Sequence, residues 1–298
     1  MKQLGLENIA AEMLAELSGV ARASSNTVEA YTRDVNEFIK FCLDKDIENI
    51  DKVTERNIRH FVMMLSADEA EKTTISRKLS SLRKLFDYAI RNEIIDGNPI
   101  AKIPNPKTKR KLPETVNLNS FLKIYEVIDK ENDLENAARL KAIFELLYGC
   151  ALRVSELCSL NIGNLDIRNS SLRVLGKGSK TRIVPIGTKS IMIIKEYLNT
   201  IDETGSQVPL FKNSDNERIT RFNVYQIVKK YLSKVTDIDK KSPHILRHSA
   251  ATHMLDNEAD IMAVKEILGH ENLSTTQIYT HVSIERLKKS YKKAHPKS

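Results

Sequence analysis

Ser242-Pro243-His244-Ile245-Leu246-Arg247-His248 opens a stretch that runs on through Leu268-Gly269-His270 to Ser274-Thr275-Thr276-Gln277-Ile278-Tyr279-Thr280-His281. Ser242 before Pro243 reads as a helix start, with a hydroxyl in capping position and proline where no amide hydrogen is needed. His244 and Arg247 then stand three apart and project from one face of the first turn. That turn also offers backbone N–H groups and the positive end of the helix dipole, a setting that suits phosphate. Gly269 reads as the stop of a helix over 260–268, and Ser274 as the cap of another that carries Tyr279. The pattern predicts a polar, anion-binding cluster around one phenol.

Outward from this stretch, towards the amino end, apolar periodicity predicts helices over 119–129, 134–148, 189–200 and 221–235. Strand character appears at 165–167, 172–175 and 182–186, with Gly176-Lys177-Gly178-Ser179-Lys180 turning the last two into a hairpin. Gly149-Cys150-Ala151-Leu152-Arg153-Val154-Ser155-Glu156-Leu157 reads as a helix end followed by a short new turn. Half of the eight prolines (Pro99, Pro104, Pro106 and Pro113) fall among Lys102, Lys107, Lys109, Arg110 and Lys111. A segment so rich in proline and charge predicts an extended basic connector, able to span the outside of a duplex.

Before the connector, Val28, Tyr31, Val35, Phe38, Ile39 and Cys42 repeat at helical spacing, as do Ile58, Phe61, Val62 and Leu65. Ile75, Leu79, Leu82, Phe86 and Ala89 form a third such row after Thr73, and a weaker one runs over 7–17. A small helical bundle follows, whose third strong helix carries Arg77, Lys78, Arg83, Lys84 and Arg91 on its polar side. Arg77, Lys78, Arg83 and Lys84, with Lys109 and Arg110 of the connector, are the candidate DNA contacts; a solvated helix face is the competing reading. The expected organisation is residues 1–95, a connector over 96–114, and a second, mostly helical domain with a small antiparallel sheet over 115–298.

A formal net charge of +8 on 298 residues favours a polyanionic partner, and the length leaves room for two ordinary cores. No apolar run of about 18 residues and no signal-peptide pattern appear, so a cytoplasmic location without membrane insertion is expected. The three cysteines, Cys42, Cys150 and Cys158, are widely placed and predict reduced, buried thiols. His244 and His248 have the spacing of a helical zinc pair, but no glutamate follows His244 and no cysteine cluster lies near, so no metal site is expected.

These residue types suit one kind of chemistry. A phosphodiester repels nucleophiles and loses a strongly basic alkoxide. Breaking it without metal takes cations on the non-bridging oxygens, a proton for the leaving oxygen and an activated attacker. Arg153 and Arg247 can supply the first, and Lys177 the second, with Lys180 as its rival. His244 and His270 can share the remaining proton work, and Tyr279 is a phenol of ordinary pKa about 10 that needs such neighbours. Arg153 alone could equally be the ion-pair partner of Glu156, three residues on. His248, His253 and His281 read as supporting groups, and among nine tyrosines Tyr291 is the rival nucleophile.

At these residues the chain resembles the tyrosine recombinases, and within them the bacterial Xer type. Arg153 sits in LRVSEL, Lys177 in GKGSKTRIVP, His244 and Arg247 in SPHILRHSAATHML, and His270 and Tyr279 in LGHENLSTTQIYTHV. Ala151 departs from the family, which more often has glycine there, at a position read as clear of the chemistry. The resemblance implies a SAM-like, helical core-binding domain followed by a catalytic domain. It implies a cut-and-rejoin reaction through a 3′-phosphotyrosine and a Holliday junction, with no cofactor, metal or ATP. The implied partners are double-stranded DNA carrying a specific site and a tetramer formed with itself or a paralogue. In chromosome dimer resolution, a translocase of the FtsK type would join them. The tail from Ser283, with Arg286, Lys288, Lys289, Lys292 and Lys293, would dock on a neighbouring protomer; a freely solvated basic tail is the competing reading. Integrases of phages or mobile elements, a type IB topoisomerase and a non-catalytic architectural protein are the alternatives.

Overall fold

The computed structural model describes residues 5–19, 25–107, 114–176, 181–203, 205–269, 291 and 294–296. The fold is mainly α, and the chain divides into two compact units, Met1–Lys111 and Leu112–Ser298, at a boundary inside the predicted connector.

The first unit holds α1 (Leu6–Gly19), α2 (Ser25–Leu43), α3 (Glu55–Ala67) and α4 (Lys72–Arg91). Thr54 caps α3 by accepting from the Asn57 amide, while Asn57 returns the bond to the Thr54 amide. Phe38, Phe61 and Phe86 meet edge to face at the centre, with ring centroids 5.2 and 6.3 Å from Phe38. The predicted cap at Thr73 is displaced: α4 begins at Lys72, and Glu71 stands in capping position without a side-chain bond. The connector also differs from expectation. Ile100 and Ile103 are buried in this unit's core, so its first half is packed against the bundle, not an extended exposed strap.

The second unit has α5 (Leu118–Ile128), α6 (Leu134–Phe144), α7 (Val154–Ser159), α8 (Thr188–Leu198), α9 (Arg221–Val235), α10 (Pro243–Asp256) and α11 (Ile261–Leu268). Three antiparallel strands, β1 (Leu165–Asp166), β2 (Ser171–Leu175) and β3 (Thr181–Pro185), lie in the order β1-β2-β3. Leu172 opposite Val184 and the neighbouring Val174 bury one face of the sheet. The predicted helix over 134–148 loosens at its end into a π turn, Glu145–Gly149, closed by the Cys150 amide on the Glu145 carbonyl at 3.1 Å.

That π turn receives part of the tail. The Tyr291 hydroxyl donates to the Gly149 carbonyl at 2.7 Å, the Tyr291 and His295 rings stack, and Asn257 donates to the Ala294 carbonyl. These tail residues are buried in their own chain, where the sequence reading places the tail on a neighbour. The rest of the tail, including Arg286, Lys288, Lys289, Lys292 and Lys293, lies outside the described residues.

Cys42, Cys150 and Cys158 are free thiols. Burial pushes Cys42 up to about 12 and Cys158 up to about 11, so both stay protonated.

Candidate active site

Glu156 organises the site. It stands in the first turn of α7, 4% exposed, where it accepts from the Arg153 backbone amide at 2.8 Å. Its side chain also takes Arg153 Nη1 at 2.7 Å, so the structural ion pair read from the sequence is present. A second arginine, Arg182 of β3, meets the same carboxylate end-on, Nη1 to Oε1 at 2.7 Å and Nη2 to Oε2 at 2.9 Å. Arg247 of α10 brings a third guanidinium within 3.7 Å.

The three arginines share another set of partners. Arg182 Nε donates to the Ile267 carbonyl, Arg247 Nη2 to Leu268 and Arg153 Nη2 to Gly269, at 3.2, 2.5 and 2.9 Å. These are carbonyls at the carboxyl end of α11, where the helix dipole is negative and the acceptors have no partner within the helix. Gly269 ends that helix as predicted, in the left-handed region at φ 63°. A β-carbon there would come within 2.9 Å of Arg182 Nη1, so any other residue would be strained and would press on the Arg182 side chain.

Three positive groups against one carboxylate leave a surplus of positive charge. Burial opposes ionisation of Glu156, but hydrogen bonds from Arg182 and Arg153 outweigh it and hold the carboxyl below its ordinary value. Burial, then repulsion from Arg153, pushes Arg247 down to about 10, which still leaves it charged at neutral pH. Arg153 is a third exposed and is the most accessible of the three. The arrangement can hold an anion on fixed, permanently charged donors.

Ala151 belongs to this site, contrary to the sequence reading. Its carbonyl accepts from Arg247 Nη1 at 2.7 Å, and its backbone is left-handed at φ 50°. Ser242 precedes Pro243 as expected, yet its hydroxyl makes no cap bond; extended backbone and proline at the first helical position start α10. His244 and His248 are exposed on α10. His253 Nδ1 lies 2.7 Å from the Tyr148 hydroxyl, and burial lowers its pKa.

The structure therefore brings Arg153 and Arg247 together and places His244 on the same helix as Arg247. Lys177, Lys180, His270, Tyr279 and His281 lie outside the described residues, as do Lys109 and Arg110. Burial first of all pushes up the phenols of Tyr125, Tyr148, Tyr197, Tyr231 and Tyr291. Tyr291, already bonded to a carbonyl, is unsuited to attack a phosphate. Arg182 was not singled out from the sequence although it stands in GKGSKTRIVP beside Lys177; an arginine inside a strand with apolar neighbours was the available signal.

On α4 the candidate DNA contacts have internal partners. Arg77 and Lys78 pair with the buried Asp34, and Lys78 also pairs with Glu37. Lys78 is itself buried, a correction to its placement on the polar face. Arg83 donates to the Ile103 carbonyl at 2.8 Å and to Asn105 at 2.9 Å, fastening the start of the connector. Lys84 is exposed.

Residues 115–286 match the phage integrase family, and residues 11–93 match the phage integrase N-terminal SAM-like domain. Tyrosine recombinase XerC of Thermodesulfovibrio yellowstonii is 39% identical over 286 residues, 92% of each chain. Tyrosine recombinase XerD of Oceanobacillus iheyensis is 36% identical over 281 residues, 92% of this chain and 94% of its own. Among solved structures, XerH site-specific recombinase bound to palindromic difH substrate, a post-cleavage complex, shares the fold. Its TM-score is 0.71 at 24% identity, over 94% of this chain and 83% of that one.

Proposed function

This chain belongs to the phage integrase family of tyrosine recombinases, and we propose that it exchanges DNA strands with Tyr279 as the nucleophile. It is a site-specific recombinase. The observation that carries the finer reading is the surplus of guanidinium charge that Arg153, Arg182 and Arg247 build around Glu156. A phosphodiester placed there gains most where its charge grows, in the pentavalent transition state.

In the proposed reaction the Tyr279 oxygen forms a bond to phosphorus and the bond to the 5′ oxygen breaks. Arg153 and Arg247 hold the non-bridging oxygens, Lys177 gives the leaving oxygen its proton, and His244 and His270 share the remaining proton transfers. The 5′-hydroxyl of a second strand then displaces the phenol. One phosphoester replaces another at each step, so no ATP is consumed. Four protomers, of this chain alone or with a paralogue, would hold two duplexes and pass through a Holliday junction. Arg77, Arg83, Lys84, Lys109 and Arg110 would contribute backbone contacts, whereas the buried Lys78 would act by fixing α4.

Identity of 36–39% to XerC and XerD relatives over nearly their whole length supports a chromosomal role, dimer resolution in the cytoplasm with a translocase of the FtsK type, over a mobile-element integrase. Among the described residues no helix is long and apolar enough to cross a membrane. The test is a nicked suicide duplex library incubated with the parent chain and with Tyr279→Phe. The parent should become covalently attached to a selected DNA and the variant should bind it without attachment. Attachment that survives the substitution would assign the nucleophile elsewhere.

A further inference from the structure

We propose that Arg182 is a positioning residue for this reaction, acting through Glu156 to present Arg153 and Arg247 to the phosphate. The inference rests on the recombinase reading and extends it to a residue to which that reading gives no step in the reaction. All three guanidinium nitrogens of Arg182 already have protein partners: both Nη atoms are engaged by Glu156 and Nε by the Ile267 carbonyl, and its side chain is only 14% exposed.

Its effect follows from the carboxylate. A buried Glu156 demands counter-charge. With Arg182 meeting both carboxylate oxygens, Arg153 need spend only Nη1 on Glu156, and Arg247 stays at the looser 3.7 Å. Without Arg182, those two guanidiniums are the nearest cations and would turn inward, away from an incoming phosphate. Arg182 also joins two segments that carry other candidates. It lies on β3, which follows Lys177 in the chain, and it bonds the end of α11, which precedes His270. The pairing is long-range in sequence, 26 residues to Glu156 and 85 to Ile267, so it fixes tertiary geometry.

The experiment uses the full chain and the DNA selected from the nicked duplex library. Single-turnover attachment rates at saturating protein, DNA dissociation constants and melting temperatures are compared for the parent, Arg182→Lys, Arg182→Gln, Arg182→Ala and the double variant Glu156→Gln/Arg182→Gln. The expected result is a roughly 10- to 100-fold slower attachment in Arg182→Gln and Arg182→Ala, the scale of losing a group that orients a catalytic ligand. DNA affinity should stay within about threefold, since phosphate contacts elsewhere dominate it. Arg182→Lys should lie between these variants and the parent. The double variant, freed of the orphaned carboxylate, should be faster than Arg182→Gln alone. Guanidinium chloride at millimolar concentration, against sodium chloride of equal ionic strength, should accelerate Arg182→Ala. Attachment at the parent rate in the folded variants would overturn the inference, as would a double variant slower than Arg182→Gln with no guanidinium rescue. If Arg182→Ala fails to fold, Arg182→Lys and the double variant carry the same decision. A parent that attaches to no DNA would instead defeat the recombinase reading itself.

Discussion

Ala151 places a methyl group where the backbone turns left-handed, and the size of each opposing effect decides what substitution there does. Left-handed backbone costs an L-residue about 1–2 kcal/mol, which glycine would relieve. Against this, glycine adds about 0.4–1 kcal/mol of unfolded-state entropy and forfeits a buried methyl worth about 0.8 kcal/mol. Ala151→Gly should therefore leave the unfolding free energy from urea titration nearly unchanged, within about 1 kcal/mol. Ala151→Val should destabilise the second unit by about 2 kcal/mol or more, because overpacking joins the backbone strain. It should also slow attachment, since the carbonyl it displaces holds Arg247. At this scale the pair Arg153–Glu156 was legible from a spacing of three residues. Arg182 was not, because pairing across 26 residues leaves no local period.

The helices were legible by their apolar periods, but their ends were less so. Four of them stop in left-handed turns made by acidic residues: Asp46, Glu69, Glu93 and Glu258. At each, the next amide reaches back to close the turn: Ile47 to Cys42, Ala70 to Leu65, Ile94 to Ala89 and Ala259 to Met254. Among the described residues Gly269 is the one glycine that makes a left-handed stop. The acidic stops also set a negative charge at the negative end of the helix dipole. Glu93→Gly should consequently stabilise the first unit by about 1 kcal/mol, strain and charge relief outweighing the entropy of glycine, with a higher melting temperature as the readout. The burial of Ile100 and Ile103 was hidden for another reason: among prolines there is no helical or strand period to read.

The two units have separate cores, and the arginine cluster is drawn from distant parts of the second. Arg153 reaches Gly269 across 116 residues, and Arg247 reaches Ala151 across 96. Composition could announce the polyanion, and the spaced motifs could announce the chemistry, but separations of this length become contacts only through the whole fold. In a urea titration, loss of DNA attachment should coincide with loss of the second unit's near-ultraviolet signal; attachment persisting beyond that transition would show that the cluster survives without its core. Because the carbonyls that gather the three arginines lie at the end of one short helix, fraying that helix scatters all of them at once. On the proposed reaction, a chain whose second unit is half-folded would form no covalent bond to DNA, so a strand would be broken only by a molecule already shaped to reseal it.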